Sequence, residues 1–545
     1  MIPFCKRLCF GLAVTLLAGL GPVNALPDVQ IDMKVSSLTP HINPPTVVGV
    51  RPGTPLNWTP AVSGSRPVHC SATGLPKSLL CDPNTASITG VCSVPGTYHV
   101  ALKVWNRFGK DTCTVAIVVG KNSALTPPMG WNSYDAYGDQ VDETQVMANA
   151  EYVAKFMQRV GWDTIVVDYR WYDPNAPAKR DNGEPGEILE MDPFGRLMPA
   201  PNRFPSASNG SGFQALAARL HRMGLKFGIH IMRGIPRTAV AQNLPIEGSP
   251  FHAADAANQT DLCPWCPDMY GVRGDTPAGR AYYDSLFRLY AKWGVDYVKM
   301  DDTSAPYHTD EIDAVHDAIQ KSGRTIVYSL SPGETPIEDA QHVMTHANLW
   351  RASGDFWDSW RALSHEFDLA RKWHDFVGPG HWADADMLPL GHISLGGRPV
   401  GADRRTNFTQ NEQVTLLSLW SLLPSPLMVG ANLPDNDPWT LALLTNPEVI
   451  AIDQDAMGNA GETVRHDSDA EVWKKKLADG SLAVGLFNKM NVDQSISVTW
   501  SELGLSEPQR VRDIWQRRNI GTSQKEYSAI VPSHGAVLIR LIPGH

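Results

Sequence analysis

The sequence predicts a multidomain fold: a central (β/α)8 TIM barrel between an N-terminal β-sandwich and a C-terminal antiparallel β-sandwich. Three observations predict it. With 545 residues the chain exceeds what one ordinary hydrophobic core organises, so several domains are expected. From about residue 125 to residue 433, eight apolar, strand-like runs recur at wide intervals, and most of the segments between them carry a helix-like pattern. On either side of that stretch the sequence changes to short alternating runs separated by Gly, Pro and Asn.

The first residues are not expected to belong to the fold. Lys6 and Arg7 precede the apolar run "LCFGLAVTLLAGL", and "VNA" sets small residues at cleavage spacing up to Ala25. This is the pattern of a secretory signal peptide over residues 1–25, so the mature protein is expected to be secreted or periplasmic. No later stretch approaches the ~20 apolar residues of a membrane span, and no membrane partner is expected. Removing the leader leaves Cys70, Cys81, Cys92, Cys113, Cys263 and Cys266. An even number in an exported chain implies disulfides, with fifteen possible connectivities. Proximity favours pairing among the first four and a small Cys263–Cys266 loop. No second Cys/His pair stands at zinc-ligand spacing beside that loop, so no metal is expected there.

Residues 26–121 read as an immunoglobulin-like β-sandwich, structural or carbohydrate-binding. Within "TYHVALKV", Tyr98, Val100, Leu102 and Val104 share one face, the period-two signature of a half-buried strand. Residues 122–460 hold the eight runs: "LTPPMGWNSY", "DTIVVDYRW", "LKFGIHIM", "VDYVKMDD", "RTIVYSLS", "NLWRASGD", "HWADADML" and "PLMVGANL". A helix over "GFQALAARLHRMG" would put Phe213, Leu216, Leu220 and Met223 on one face, with Gly224 as its stop. Residues 461–545 return to alternation, with a turn at Asp479–Gly480 inside "AEVWKKKLADGSLAVGLFN".

A hydrophobic fraction of 43% and a charged fraction of 19% describe a globular chain, and a net charge of −10 argues against nucleic acid or an anionic membrane as partner. Nothing in the sequence assigns an oligomeric state. Seventeen Trp either fill a large core or line a sugar site, where aromatic faces pack on apolar C–H patches.

In a (β/α)8 barrel the active site is built at the C-terminal ends of the strands. Read in order, those ends offer Tyr134; Asp168, Tyr169 and Arg170; His230 and Arg233; Lys299 and Asp301; Ser331; Arg351 and Asp355; Asp384 and Asp386. Phosphoryl chemistry would ask for a Gly-rich cradle between strand and helix, and "LGGRPVG" lacks that setting. Metal hydrolysis would ask for clustered His, and the strand ends carry only isolated ones. Glycoside hydrolysis needs two carboxyl groups among aromatic surfaces, which fits best. Trp131, Trp171, Trp350 and Trp382 flank the strand ends as stacking or core residues. Asp302 is expected to cap the turn that follows it, and Arg233 with Arg237 reads as a solvated charge pair.

Over roughly residues 125–545 the sequence also resembles glycoside hydrolase family 27, the α-galactosidase type of clan D. "LTPPMGWNSY" is similar to that family's "TPPMGWNSW", "WGVDYVKMDD" to its nucleophile strand, and "LWRASGD" to its acid/base segment. "WADADML" is similar to its "WNDPDML", and "EVIAIDQDAMG" to its join with the C-terminal domain. The N-terminal module resembles the immunoglobulin-like domain of bacterial relatives. The resemblance implies Asp301 as nucleophile and Asp355 as general acid/base in a retaining double displacement, with the carboxyl groups roughly 5–5.5 Å apart. It implies no cofactor and no metal. It also implies sugar contacts from Arg351, Asp168 and Asp386. Lys299, two residues before Asp301 on the same strand face, would favour its ionised form.

The departures fall on the sugar contacts. Tyr134 stands for the family's second tryptophan, Tyr169 for an aspartate that binds the galactose 4- and 6-hydroxyls, and His230 for a tyrosine. Ser331 stands where α-galactosidases carry a glutamate, as in N-acetylgalactosaminidases, and Thr303 replaces a disulfide cysteine. Trp131, Tyr134, Tyr169, His230 and Ser331 therefore join Asp168, Lys299, Arg351 and Asp386 as candidate substrate-binding residues. The implied activity is exo-hydrolysis of terminal α-D-galactosides in oligo- or polysaccharides, with a carbohydrate as the only partner. The alternatives are the same mechanism on an α-N-acetylgalactosaminide, a β-L-arabinopyranoside or an α-1,6-glucan as in isomaltodextranase, or a non-catalytic carbohydrate-binding protein.

Overall fold

Eight short runs rich in β-branched and aromatic residues form one parallel sheet. They are β1 (Met129–Asn132), β2 (Thr164–Val167), β3 (Lys226–Met232), β4 (Tyr297–Asp301), β5 (Val327–Leu330), β6 (Leu349–Arg351), β7 (Trp382–Asp384) and β8 (Leu427–Val429). The computed structural model describes residues 29–34, 37–176, 189–266, 268–397 and 400–544, so the leader expected over residues 1–25 lies outside the described residues. The sheet order runs β7-β6-β5-β4-β3-β2-β1-β8. Leu388, beyond β7, closes it: its N–H donates to the Met428 carbonyl at 2.8 Å and its carbonyl accepts from Gly430 N–H at 3.1 Å. The expected barrel is therefore present.

Period two inside the barrel decides where chemistry can sit. Val166, Tyr297, Leu349 and Met428 form one small buried cluster, and they come from β2, β4, β6 and β8. A layer of four side chains from alternate strands is how such barrels fill their interior. Two residues further along the same strands stand Asp168, Lys299, Arg351 and Gly430, which must point the same way. The layer above the apolar plug is thus polar, and Gly430 leaves one side of it open. Val298 and Met300, on the other face of β4, are fully buried in the core between barrel and helices.

The helix expected near residue 213 spans Gln214–Arg222, with Phe213, Leu216 and Leu220 buried and Gly224 left-handed at φ +76°. Among the described residues no helix is long and apolar enough to cross a membrane.

The N-terminal region pairs a four-stranded sheet with a three-stranded one around Trp58, Ile88, Val100, Leu102, Val104 and Ile117. Its seat is the end of the barrel away from the mouth. Arg51 Nη1 donates to the Ile319 carbonyl at 2.7 Å, and Arg51 N–H to Thr325 Oγ1 at 3.1 Å, just before β5 begins. Cys70 Sγ and Cys81 Sγ lie 3.1 Å apart as thiols.

The C-terminal region carries a six-stranded antiparallel sheet and a two-stranded one. It packs on the helix Gln410–Leu422, where Lys475 Nζ donates to the Ser421 carbonyl at 2.8 Å and Trp515 Nε1 to Ser418 Oγ at 2.9 Å.

Candidate active site

At the C-terminal end of the strands a cavity of ≈ 290 Å³ is lined by Asp168, Lys299, Asp301, Ser331, Arg351, Asp355 and Asp386, together with Tyr134 and Tyr169. That is near the ~300 Å³ at which small-ligand pockets begin. Nine of the eleven residues singled out from sequence therefore meet in one space. The polar layer above the plug explains most of them, because Lys299 and Asp301 continue the inward face begun by Tyr297.

Asp301 is the most strongly conditioned group. Burial alone would raise its carboxyl, but the His230 ring and the Lys299 ammonium outweigh burial and hold it well below the usual carboxylate range. His230 Nε2 lies 2.8 Å from Asp301 Oδ2, yet among the described residues neither ring nitrogen makes an aligned hydrogen bond. Lys299 Nζ donates to Asp168 Oδ2 at 3.2 Å, and the same oxygen accepts from Asn132 Nδ2 at 2.7 Å. Burial works against the Lys299 charge, and Asp168 and then Asp301 reverse it, so the ammonium is raised above its ordinary value.

The facing wall is organised by Arg351, whose Nη2 sits 2.7 Å from Asp386 Oδ2 and 3.3 Å from Asp355 Oδ1. Asp386 also accepts the Phe356 N–H at 2.8 Å, which fixes the segment next to Asp355. The Asp355 side chain keeps 68% of its surface exposed. One carboxyl is sunk among cations and the other stands open at the rim. That asymmetry suits one fixed anion and one group that exchanges protons with water.

Four expectations are corrected. Trp131 is fully buried, donates from Nε1 to the Ala431 carbonyl at 2.7 Å and does not line the cavity. It is a core residue, as are Trp171, Trp350 and Trp382, all fully buried. His230 lies behind Asp301, fully buried, and acts on the carboxylate instead of walling the cavity. Arg233 is no solvated charge: its guanidinium is buried and binds Asp302 Oδ2 at 2.8 Å, Asp261 Oδ2 at 2.8 Å and Glu311 Oε1 at 2.6 Å. Asp302, bound to that guanidinium, does not cap the following turn.

The cavity has further walls that sequence reasoning missed. Trp265 and Trp357 line it, as does Asp135. Trp265 stands between the two cysteines of "CPWCPD", and Trp357 two residues after Asp355, so proximity to those motifs was the available signal. Asp135 fits into the gap left by Gly430, where an added Cβ would come 2.2 Å from Asp135 Oδ2. Among the described residues that oxygen has no hydrogen-bond partner. Burial, then the neighbouring Asp386, push its carboxyl well above the usual range.

Known proteins resemble this chain in family and fold. The family described as "Alpha galactosidase A" matches residues 271–455, and the "Alpha galactosidase C-terminal beta sandwich domain" matches residues 467–541. A β-L-arabinopyranosidase of Geobacillus stearothermophilus, described as a GH27 enzyme, superposes with a TM-score of 0.75 at 47% identity, covering 77% of this chain and 98% of that one. The α-galactosidase of Coffea arabica is 30% identical over 444 residues, 80% of this chain and 98% of its own. That of Cyamopsis tetragonoloba is 30% identical over 424 residues, 77% and 86% of the respective chains.

Proposed function

The chain belongs to glycoside hydrolase family 27, the α-galactosidase family, and from that premise we propose that it is a retaining exo-glycosidase of galacto-configured pyranosides, with α-D-galactosides as first substrates. One observation carries the reading: Asp301 and Asp355, distant in sequence, line the same small cavity, one held ionised by cations and one exposed. Asp301 attacks the anomeric carbon while Asp355 gives its proton to the departing glycosidic oxygen. A covalent glycosyl-enzyme results. Water then attacks that intermediate as Asp355 takes its proton back, and two inversions give net retention. Asp168, Arg351 and Asp386 supply charge-assisted hydrogen bonds to sugar hydroxyls, and Lys299 holds Asp168 and Asp301 in their anionic forms. Trp265 and Trp357 give the ring an apolar face.

A β-L-arabinopyranoside is the second reading, and Tyr169 favours it. This sugar repeats the α-D-galactoside ring without its hydroxymethyl group. An aromatic wall where the family carries an aspartate for the 4- and 6-hydroxyls suits a pentose that has nothing to place there. The arabinopyranosidase neighbour supports the same idea. We further propose that the chain is exported and that Cys70 and Cys81 pair in that oxidising setting. A panel of p-nitrophenyl α-D-galactoside, β-L-arabinopyranoside and α-N-acetylgalactosaminide, with isomalto-oligosaccharides and Asp301→Asn as blank, tests the function. Turnover of either of the first two with retained anomeric configuration upholds it. Turnover of the glucans alone overturns the galacto-configured reading.

A further inference from the structure

The helix after β4 (Thr309–Lys321) and the helix after β5 (Ala340–His346) lie side by side outside the barrel. Their facing surfaces bring together Asp313, His342 and His346, with one ligand atom from each within 4.8 Å of the other two. None of the three lines the sugar cavity. His342 and His346 stand one helical turn apart, and their rings stack with centroids 4.2 Å apart and planes 19° from parallel. Both Nε2 atoms face a single carboxylate oxygen, Asp313 Oδ1, at 2.8 Å from His342 and 3.4 Å from His346.

The remaining ring nitrogens are already engaged. His346 Nδ1 lies 2.8 Å from the His342 carbonyl, and His342 Nδ1 lies 2.7 Å from the Tyr307 hydroxyl. A carbonyl only accepts, so His346 Nδ1 carries the proton, and in the neutral ring Nε2 is a lone pair aimed at a carboxylate. Two acceptors facing each other repel until a proton or a metal cation lies between them, and a metal can take that place. Anchoring Nδ1 to a carbonyl or hydroxyl is also how proteins orient imidazoles toward a metal. Zinc bonds of about 2.0–2.2 Å in a tetrahedron set ligand atoms ~3.4 Å apart, which the His346–Asp313 pair already matches. The His342–Asp313 pair needs to open by about half an ångström. The site also sits at a helix C-terminus, whose dipole favours a cation. Side-chain exposures of 23% to 35% let an ion in from solvent. A similar grouping of Asp261, His308 and Glu311 differs in one respect: the Arg233 guanidinium is already its cation.

We propose that Asp313, His342 and His346 bind one divalent transition-metal ion of the zinc class. The ion ties two neighbouring barrel helices together and, through Tyr307, the loop that leaves Asp301. Untagged protein titrated with ZnCl2 by calorimetry is expected to bind one ion per chain with a micromolar dissociation constant. At a hundredfold excess over that constant the unfolding midpoint should rise by about 2–3 °C. With Co2+ in place of Zn2+, tetrahedral visible absorption bands should appear. All three responses are expected to vanish in His346→Ala and in the near-isosteric Asp313→Asn. They should persist in His374→Ala, whose ring pairs with Asp375 elsewhere on the surface. Glycosidase activity without added metal should be unchanged in all three variants. Equal zinc affinity in wild type and Asp313→Asn, or no binding by wild type, overturns the proposal. If His346→Ala does not fold, Asp313→Asn alone decides.

Discussion

Asp301 and Asp302 are adjacent, both buried, and meet opposite fates. Asp301 faces the cavity, and its carboxyl is depressed; Asp302 turns away and its carboxyl is raised. Burial is the largest influence on both and pushes both upward. What differs is the supply of positive charge. Asp301 has His230 and Lys299 at hand, whereas Asp302 shares one guanidinium with Asp261 and Glu311. Strand alternation sends neighbours to opposite faces, and the left-handed backbone of Asp302, φ +65°, completes the turn away. Burial of an acid therefore does not set its ionisation; the ratio of cations to acids around it does.

The largest effect is expected at Asp301 itself. Asp301→Asn removes the anion but keeps the shape, and kcat/KM is expected to fall by about 10⁴-fold or more, as when a nucleophile is lost elsewhere. Loss of less than tenfold on the best substrate of the panel would remove Asp301 from the chemistry. The second test lies behind it. Arg233→Met leaves Asp302, Asp261 and Glu311 buried or half-buried without their shared cation, and should cost about 3–5 kcal/mol in urea unfolding. An unchanged urea midpoint would mean that the network beside the active strand holds nothing together.

How far sequence alone reached follows the same division. Barrel, flanking β regions and nine cavity residues were legible because apolar runs and the carboxylates at their ends are local signals. Asp301 and Lys299 could be placed together from period two alone. Arg233 could not be read correctly: its partners Asp261, Asp302 and Glu311 come from three separate segments, and only the fold closes them around one guanidinium. Asp135 was missed for a related reason. Its carboxyl enters the cavity because Gly430, on the last strand, leaves space for it. Trp131 was misread because a tryptophan next to a strand end looks the same in sequence whether it faces sugar or core.

Replacing Lys299 changes the cation count around Asp301 without altering Asp301 itself. Lys299→Met is expected to lower kcat/KM by about 10²-fold, the usual cost of one electrostatic group in such a site. The sign of its pH effect is fixed. A depressed carboxyl stays ionised into acid, so wild-type activity persists as pH falls. Removing the ammonium raises the Asp301 pKa, and the acid limb of kcat/KM must then move to higher pH. A limb that stays still, or moves down, would show that Lys299 does not set the ionisation.

The smallest effect is expected at Trp131, and it separates cavity from core on the aromatic side as Asp301 and Asp302 do on the acidic side. Trp131→Phe keeps an aromatic ring but loses the 2.7 Å hydrogen bond from Nε1 to the Ala431 carbonyl. With that acceptor buried and part of the indole volume gone, stability should drop by about 1–2 kcal/mol. KM should stay within about twofold of wild type, because the indole is fully buried and the cavity walls are Trp265 and Trp357. The two readouts divide the possibilities cleanly. A residue that stacked on sugar would raise KM and leave the unfolding midpoint nearly still; one that packs the barrel does the reverse. A tenfold rise in KM at unchanged stability would return Trp131 to the substrate and require the mouth of the barrel to open further than its present walls allow.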